Sequence, residues 1–271
     1  MSSWPKLVVP VSLVVLCIFT FSAIGLAQGS QVQIAPPLMR IVDPPPKDAS
    51  VTDLEKKADQ LRVSKLFLDA LDYYHAALAK EPSSARLLNK IGITELMMQR
   101  YREAKKSFEK SIKADHTFAD AYNNLGVVFY ENRKYAPAIK EYRKAIVIDG
   151  NSASFYNNLG AALFSKKEFE PAVQAYQRAL ELDPDVFERT SRGGVQAQLP
   201  SPEDRARYDY TVAKLYAKMG LDDQSLEYLR KAMEEGYKDF NDVYKDAEFA
   251  QVRKDKRFAE LIATKTYAVP E

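Results

Sequence analysis

Apolar and small residues return at a regular helical spacing through the middle of the chain. The spacing i, i+3, i+4, i+7 marks one face of a helix. The first such stripe comprises Tyr122, Leu125, Gly126 and Phe129. The second comprises Tyr135, Ala138, Ile139, Tyr142, Ala145 and Ile146. Two stripes this close together predict a pair of helices that pack against each other.

The two-helix pattern repeats with a period of 34 residues. The five letters Tyr-Asn-Asn-Leu-Gly at 122–126 return at 156–160. A fixed self-similarity of this length is typical of a stacked repeat array. A glycine inside a helix costs about 0.5–1 kcal/mol relative to alanine. The return of Gly126 as Gly160 therefore predicts a packing role, in which the missing side chain lets a neighbouring helix approach.

These residues resemble the tetratricopeptide repeat, whose pattern is W-x2-L-G-x2-Y, then A-x3-F, then P. Tyr122 and Tyr156 stand where that pattern has tryptophan. The resemblance implies an all-α fold, a right-handed α-solenoid of about five helix pairs with C-terminal capping helices. It also implies a concave groove that binds a protein or peptide segment.

The period and the composition divide the chain into segments. The predicted boundaries are 1–27 for an N-terminal apolar segment, 28–50 for a proline-rich linker, 51–184 for repeats 1 to 4, 185–204 for an insertion loop, 205–239 for repeat 5, and 240–271 for capping helices and a tail. Asp209 stands where repeat 3 has Tyr122, so repeat 5 follows the pattern less closely. The insertion has few apolar residues, which predicts a functional or disordered loop.

The N-terminal segment has the features of a secretory signal peptide. Lys6 precedes an apolar run at 7–27 that ends in the small residues Gly25 and Ala27. This order predicts cleavage after Ala27 and an exported protein, periplasmic or secreted. An uncleaved membrane anchor is the alternative, because the run is long enough to span a bilayer. Cys17 is the single cysteine and lies in this run, so a cleaved chain has no disulfide.

The rest of the sequence offers little for catalysis. The formal net charge is +2, which gives no electrostatic indication of nucleic acid or a membrane surface as partner. His75 and His116 fall in different repeats and in no metal-ligand spacing. Glycine-rich phosphate loops and nucleophile elbows are absent from the sequence. We therefore predict no catalytic site, metal or cofactor, and membrane contact only through the N-terminal segment.

The candidate binding residues lie on the first helix of each repeat. Asn123 and Tyr130 share a face apart from the packing stripe, and stacking should align them with their equivalents. The resemblance places that face in the concave groove, where asparagine amides can donate to and accept from a peptide backbone. The predicted site is Asn89, Asn123, Asn124, Tyr130, Asn157, Asn158 and Phe164. The alternative is that the amides bond to the adjacent loop.

These observations together predict a non-catalytic scaffold or adaptor of the cell envelope that binds a protein or peptide. One alternative is a structural subunit of an envelope, secretion or biogenesis assembly, contacted through the outer face and the insertion. An enzyme accessory domain is a more distant alternative. Fold resemblance alone carries the step from solenoid to binding, and it leaves the partner and the oligomeric state open.

Overall fold

The computed structural model describes residues 40–188 and 202–265. Within them the chain forms eleven α-helices and three short 3-10 helices. The α-helices are α1 Val51–Val63, α2 Phe67–Lys80, α3 Ala85–Met97, α4 Tyr101–Ala114, α5 Ala119–Glu131, α6 Tyr135–Ile148, α7 Ala153–Ser165, α8 Phe169–Leu182, α9 Pro202–Lys218, α10 Asp222–Glu234 and α11 Lys256–Lys265. None of these helices is long and apolar enough to cross a membrane. The predicted signal segment 1–27 lies outside the described residues.

The helices pack as five consecutive pairs, α1 with α2 through α9 with α10. In repeats 1 to 4 the second helix of each pair also contacts the first helix of the next pair. From α3 onward, neighbouring first helices touch one another (α3 with α5, α5 with α7, α7 with α9), whereas successive second helices make only sparse contacts. The first helices therefore line the inner side of the array. The predicted all-α solenoid is confirmed.

The turn inside each pair uses the same backbone conformation in all five repeats. One residue of each turn has a positive φ, the left-handed region that L-residues seldom adopt. The values are 61° at Lys65, 58° at Gln99, 57° at Arg133, 67° at Lys167 and 74° at Gly220. The turn is thus conserved in form in repeats 1 and 5, where the sequence pattern is weakest.

A glycine in three of the first helices lets an aromatic ring of the following helix lie against its backbone. The three pairs are Gly92 with Phe108, Gly126 with Tyr142 and Gly160 with Tyr176. A Cβ atom placed on Gly126 would lie 2.5 Å from Cε1 of Tyr142. Such a contact is far inside the van der Waals distance, so the predicted packing role of this glycine is confirmed.

Two of these rings bury a hydroxyl that has no hydrogen-bond partner among the described residues, those of Tyr142 and Tyr176. Phe108 fills the equivalent place in repeat 2. A buried, unpaired polar group costs about 1–3 kcal/mol, so Tyr142→Phe should raise the free energy of unfolding by about 1 kcal/mol. Urea denaturation measures this. The control is Tyr130→Phe, which removes a 2.8 Å bond to Ser165 Oγ and should lower stability; a loss of stability in Tyr142→Phe would contradict the prediction.

Part of the predicted linker 28–50 belongs to the folded unit. Asp69 is 2% exposed, and its carboxylate accepts the backbone N–H groups of Ile41 at 3.2 Å and Val42 at 3.1 Å. Further bonds join Arg40 to Asp72, Tyr73 to the carbonyl of Asp43, and Lys80 to the carbonyl of Lys47. The spacer prediction is therefore wrong for residues 40–50, because side chains of α2 bond this segment along its length.

The start of the predicted insertion 185–204 is also part of the core. Val186 is buried, and the ring of Phe187 lies against four tyrosines of α8, α9 and α10. The four are Tyr176, Tyr208, Tyr216 and Tyr228. Helix α9 begins at Pro202, earlier than the predicted repeat boundary at 205. The predicted insertion loop 185–204 is therefore wrong at both ends, where the chain packs into the core or is helical, while residues 189–201 lie outside the described part.

The C-terminal segment covers the end of repeat 5. Its buried side chains join the core that includes α9 and α10; they are Phe240, Val243, Phe249, Val252, Phe258 and Leu261. They are carried by 3-10 helices at Phe240–Tyr244, Ala247–Ala250 and Val252–Lys254, and by α11. Three short 3-10 helices and one α-helix therefore replace the two capping helices that the sequence predicts.

Asp209 is a buried carboxylate in the core of repeat 5. It is 8% exposed and stands where repeat 3 has Tyr122. Burial, together with a smaller contribution from the nearby Glu235, raises the pKa of Asp209 from its ordinary value of 3.8 to about 7. Lys231 and Arg205 lower the pKa but do not compensate for burial. The folded protein therefore holds this proton more tightly than the unfolded chain does.

The raised pKa predicts a pH-dependent stability. A carboxyl with a raised pKa loses its contribution as pH rises from the unfolded to the folded pKa, here from about 4 to about 7. Asp209→Asn removes that loss, so its gain over the natural chain should grow with pH and reach at most about 4 kcal/mol above pH 7. Urea denaturation at pH 5 and pH 8 measures the gain. The same gain at both pH values would contradict the prediction.

Candidate functional site on the inner face

Buried asparagine side chains connect repeats 2, 3 and 4 along the inner face. Nδ2 of Asn124 donates to Oδ1 of Asn89 at 3.0 Å, and Nδ2 of Asn158 donates to Oδ1 of Asn123 at 2.9 Å. Within α5, Nδ2 of Asn123 donates to Oδ1 of Asn124 at 3.3 Å. We call these four residues the asparagine ladder. It ties three consecutive first helices together by side-chain amides.

The predicted site residues do not line an open groove. None of the seven is more than 5% exposed: Asn89, Asn123, Asn124, Tyr130, Asn157, Asn158 and Phe164. The first helices of neighbouring repeats approach so closely that their amides satisfy one another. Tyr130 bonds to Ser165, and Phe164 packs against rings of α8 and α9. The prediction that these side chains face an open groove is therefore wrong, because all seven are buried.

Charged residues make the same connection between repeats 1 and 2. Lys90 takes the place that Asn124 has in repeat 3, and Glu55 takes that of Asn89 in repeat 2. Lys90 Nζ lies 2.7 Å from Glu55 and 2.6 Å from Asp59. Arg86 forms a second ion pair with Glu55, which is only 6% exposed. Ion pairs thus connect the first helices of repeats 1 and 2, as amide hydrogen bonds connect those of repeats 2, 3 and 4.

The connection is missing between repeats 4 and 5. Asn157 occupies the place of Asn123 in repeat 4, but it makes no hydrogen bond to another described residue. The residue of repeat 5 that would reach it is Thr211, whose hydroxyl instead donates to the carbonyl of Arg207 at 2.8 Å. Asn157 is therefore a buried amide on the inner face that takes no part in the asparagine ladder.

One part of the inner face is open, a depression of about 510 Å³ at the N-terminal end. We call it the inner-face depression; its lining is Thr52, Glu55, Lys56, Asp59, Gln60, Val63 and Arg86. Val63 is the last residue of α1 and is 76% exposed, an exposure that only Val147 exceeds among the large apolar residues of the described part. The sequence pattern did not single out these residues, because repeat 1 is degenerate and the depression forms only when α1 and α3 come together. The sequence feature that could have indicated this site is the apolar Val63 at the end of a predicted helix.

Three family models match residues within this array of helix pairs. A tetratricopeptide repeat model matches residues 85–117, a TPR repeat model matches 132–167, and a second tetratricopeptide repeat model matches 153–186. The matched residues cover α3 with α4 and α6 to α8. The chain is a tetratricopeptide repeat protein.

Solved tetratricopeptide repeat structures resemble this one over most of their length. MamA is 25% identical over 66% of this chain and 93% of its own, with a TM-score of 0.46. TTC0263 of Thermus thermophilus is 19% identical over 79% of this chain and 100% of its own, with a TM-score of 0.49. PilF of Pseudomonas aeruginosa is 22% identical over 72% and 82%, with a TM-score of 0.49. A search of curated proteins gave no match.

The inner face of this tetratricopeptide repeat protein is suited to non-covalent contact. The inner-face depression combines an apolar side chain, Val63, with the ammonium group of Lys56 and the carboxylates of Glu55 and Asp59. Among the described residues, no three His, Cys, Asp or Glu side chains gather in a way that could hold a metal ion. Hydrogen bonds, ion pairs and burial of apolar surface are the interactions that these side chains can offer.

Proposed function

We propose that this tetratricopeptide repeat protein is a non-catalytic scaffold of the cell envelope, which binds an extended protein or peptide segment on its inner face. The inner-face depression is the observation that carries the proposal. Here the inner face exposes the apolar surface of Val63 beside charged side chains. Exposed apolar surface rimmed by polar groups is characteristic of interaction sites.

The lining of the depression indicates what a bound segment would carry. Val63 is 76% exposed and would lose most of that exposure against an apolar side chain of the partner. Burying a side chain of this size contributes about 1.5–3 kcal/mol. Lys56 is exposed beside it and would favour a carboxylate. Glu55 and Asp59 are already paired with Lys90, so they hold the wall of the depression in place.

The envelope location rests on the N-terminal sequence. Lys6, the apolar run at 7–27 and the small residues before position 28 have the order of a secretory signal. Export places the repeats outside the cytoplasm, where the partner would be an envelope or secreted protein. N-terminal sequencing of the exported protein tests this part; recovery of residues 1–27 in the membrane fraction would support the anchor instead.

Site-specific photocrosslinking tests the binding proposal. A photoreactive amino acid at position 63 should give a crosslinked partner in native cells, whereas the same probe at Glu109, an exposed residue of α4, should not. The captured protein is then identified and purified. Val63→Glu should weaken its binding about tenfold or more, since loss of one buried apolar contact is worth at least about 1.4 kcal/mol. Equal crosslinking at both positions, or unchanged affinity, would overturn the proposal.

A further inference from the structure

A second surface of the protein concentrates positive charge. Four cations occur within a short stretch of repeat 3, in the turn before α6 and on α6 itself. They are Arg133, Lys134, Lys140 and Arg143, all exposed. None of their side chains forms an ion pair with another described residue. An exposed group of four cations without carboxylate partners in the described part of the chain is available to a partner molecule.

Two of these cations border a depression of about 390 Å³. We call it the basic depression; its lining is Ala136, Ile139, Lys140, Arg143, Lys166 and Glu168. Lys166 and Glu168 pair with each other at 2.5 Å, which leaves Lys140 and Arg143 uncompensated. The apolar part of the lining is Ala136, which is exposed, with the mostly buried Ile139 beneath it. The site is therefore a small apolar hollow bordered by two free cations.

The basic depression is separate from the inner face. Its lining comes from α6, a second helix, and from the turn between α7 and α8 in the next repeat. None of its lining residues belongs to the inner-face depression, which is formed by α1 and α3 of repeats 1 and 2. A molecule bound here would leave the inner face free for its own partner.

A cation at both of these places is particular to repeat 3 when it is compared with repeats 2 and 4. The places of Lys140 and Arg143 are taken in repeat 4 by Gln174 and Gln177, which are neutral. In repeat 2 they are taken by Lys106 and Glu109, which have opposite charges. Repeat packing does not require cations at these places, since repeat 4 forms the same helix pair without them.

We propose that the basic depression binds an acidic protein segment, one that presents carboxylates to Lys140 and Arg143 and an apolar side chain to Ala136 and Ile139. Arginine can bind a carboxylate through two parallel hydrogen bonds. The concave shape and the apolar surface favour a peptide over a flat anionic membrane. The chain's formal net charge of +2 also provides no broad positive field of the kind that attracts membranes or nucleic acid.

A labelled peptide tests the proposal by fluorescence polarisation. The probe is a fluorescein-labelled heptapeptide of alternating Glu and Asp with a central Leu; its control is the same peptide with Gln and Asn. The acidic peptide should bind, and its affinity should fall steeply with added salt. Lys140→Gln with Arg143→Gln, the side chains that repeat 4 uses, should lower the affinity about tenfold or more. The matched control, Lys106→Gln with Lys110→Gln, removes the same charge from repeat 2 and should change it less than about twofold.

The other outcomes also decide the question. An equal loss of peptide affinity in both double variants would show that only the total charge of the protein matters. Equal affinity for the neutral and the acidic peptide would show that binding is not ionic. Either result overturns the proposal. Stronger binding to phosphatidylglycerol vesicles than to the peptide, lost in the same variant, would assign the surface to a membrane instead. Val63→Glu should leave peptide binding unchanged, which separates this site from the proposed inner-face function. Circular dichroism checks that each variant is folded.

Discussion

Asn123→Ala is expected to lower the free energy of unfolding by about 2–4 kcal/mol, because it breaks the asparagine ladder at its centre. Asn123 accepts a hydrogen bond from Asn158 and donates one to Asn124. Alanine takes one hydrogen bond from each of two buried amides, those of Asn158 and Asn124, and a buried group that loses a bond costs more than the bond itself. Alanine's higher helix propensity offsets only about 0.7 kcal/mol of this loss.

The chain contains a matched control for this prediction. Asn157 occupies the equivalent place in repeat 4, is 4% exposed, and has no ladder partner. Asn157→Ala should therefore change the free energy of unfolding by less than about 1 kcal/mol. Chemical denaturation of the two single variants measures the difference. Equal effects would mean that the amides of the ladder contribute nothing specific to the stacking of the repeats.

Gly126→Ala is expected to lower the free energy of unfolding by about 1–3 kcal/mol through overpacking. The added methyl group would lie 2.5 Å from Cε1 of Tyr142, whose ring is fully buried. The gain of about 1 kcal/mol in helix propensity works in the opposite direction. The expected loss of about 1–3 kcal/mol in the free energy of unfolding is the net value after this gain is subtracted.

Gly150→Ala is the control for the glycine prediction. A Cβ atom there would meet the carbonyl oxygen of Ile146 at 3.6 Å, which is an ordinary contact. Its stability should change by less than about 0.5 kcal/mol. A double-mutant cycle of Gly126→Ala with Tyr142→Leu adds a second check, since the two costs should not be additive if the methyl group meets that ring. Additive costs would contradict the proposed contact.

The sequence was sufficient to predict the helices and their pairing. Helical periodicity and the 34-residue period located repeats 1 to 4 closely, because each repeat buries its apolar stripe in the same way. Gly126 and Gly160 were recognised as packing positions for the same reason. A glycine without a turn to explain it indicates close approach of a neighbour, and that inference needs no knowledge of the neighbour's identity.

The asparagines could not be assigned correctly from the sequence. Asn123 and Asn124 are polar, and a polar face beside an apolar stripe normally faces solvent. Their burial depends on how near the first helices of adjacent repeats approach, which is a property of the assembled array.

Residues 40–50 show the same limit of prediction from the sequence. Their prolines predict an extended spacer, and only the position of the buried Asp69 carboxylate holds the segment against α2.

Hydrogen–deuterium exchange of the protein, with and without the partner captured at position 63, tests binding on the inner face most directly. We expect the partner to slow exchange in α1 and α3, which border the inner-face depression, while α4 and α11 are unchanged. Protection in α5 and α7 equal to that in α1 would place the partner along the asparagine ladder. Protection restricted to second helices or to the C-terminal cap would contradict binding on the inner face.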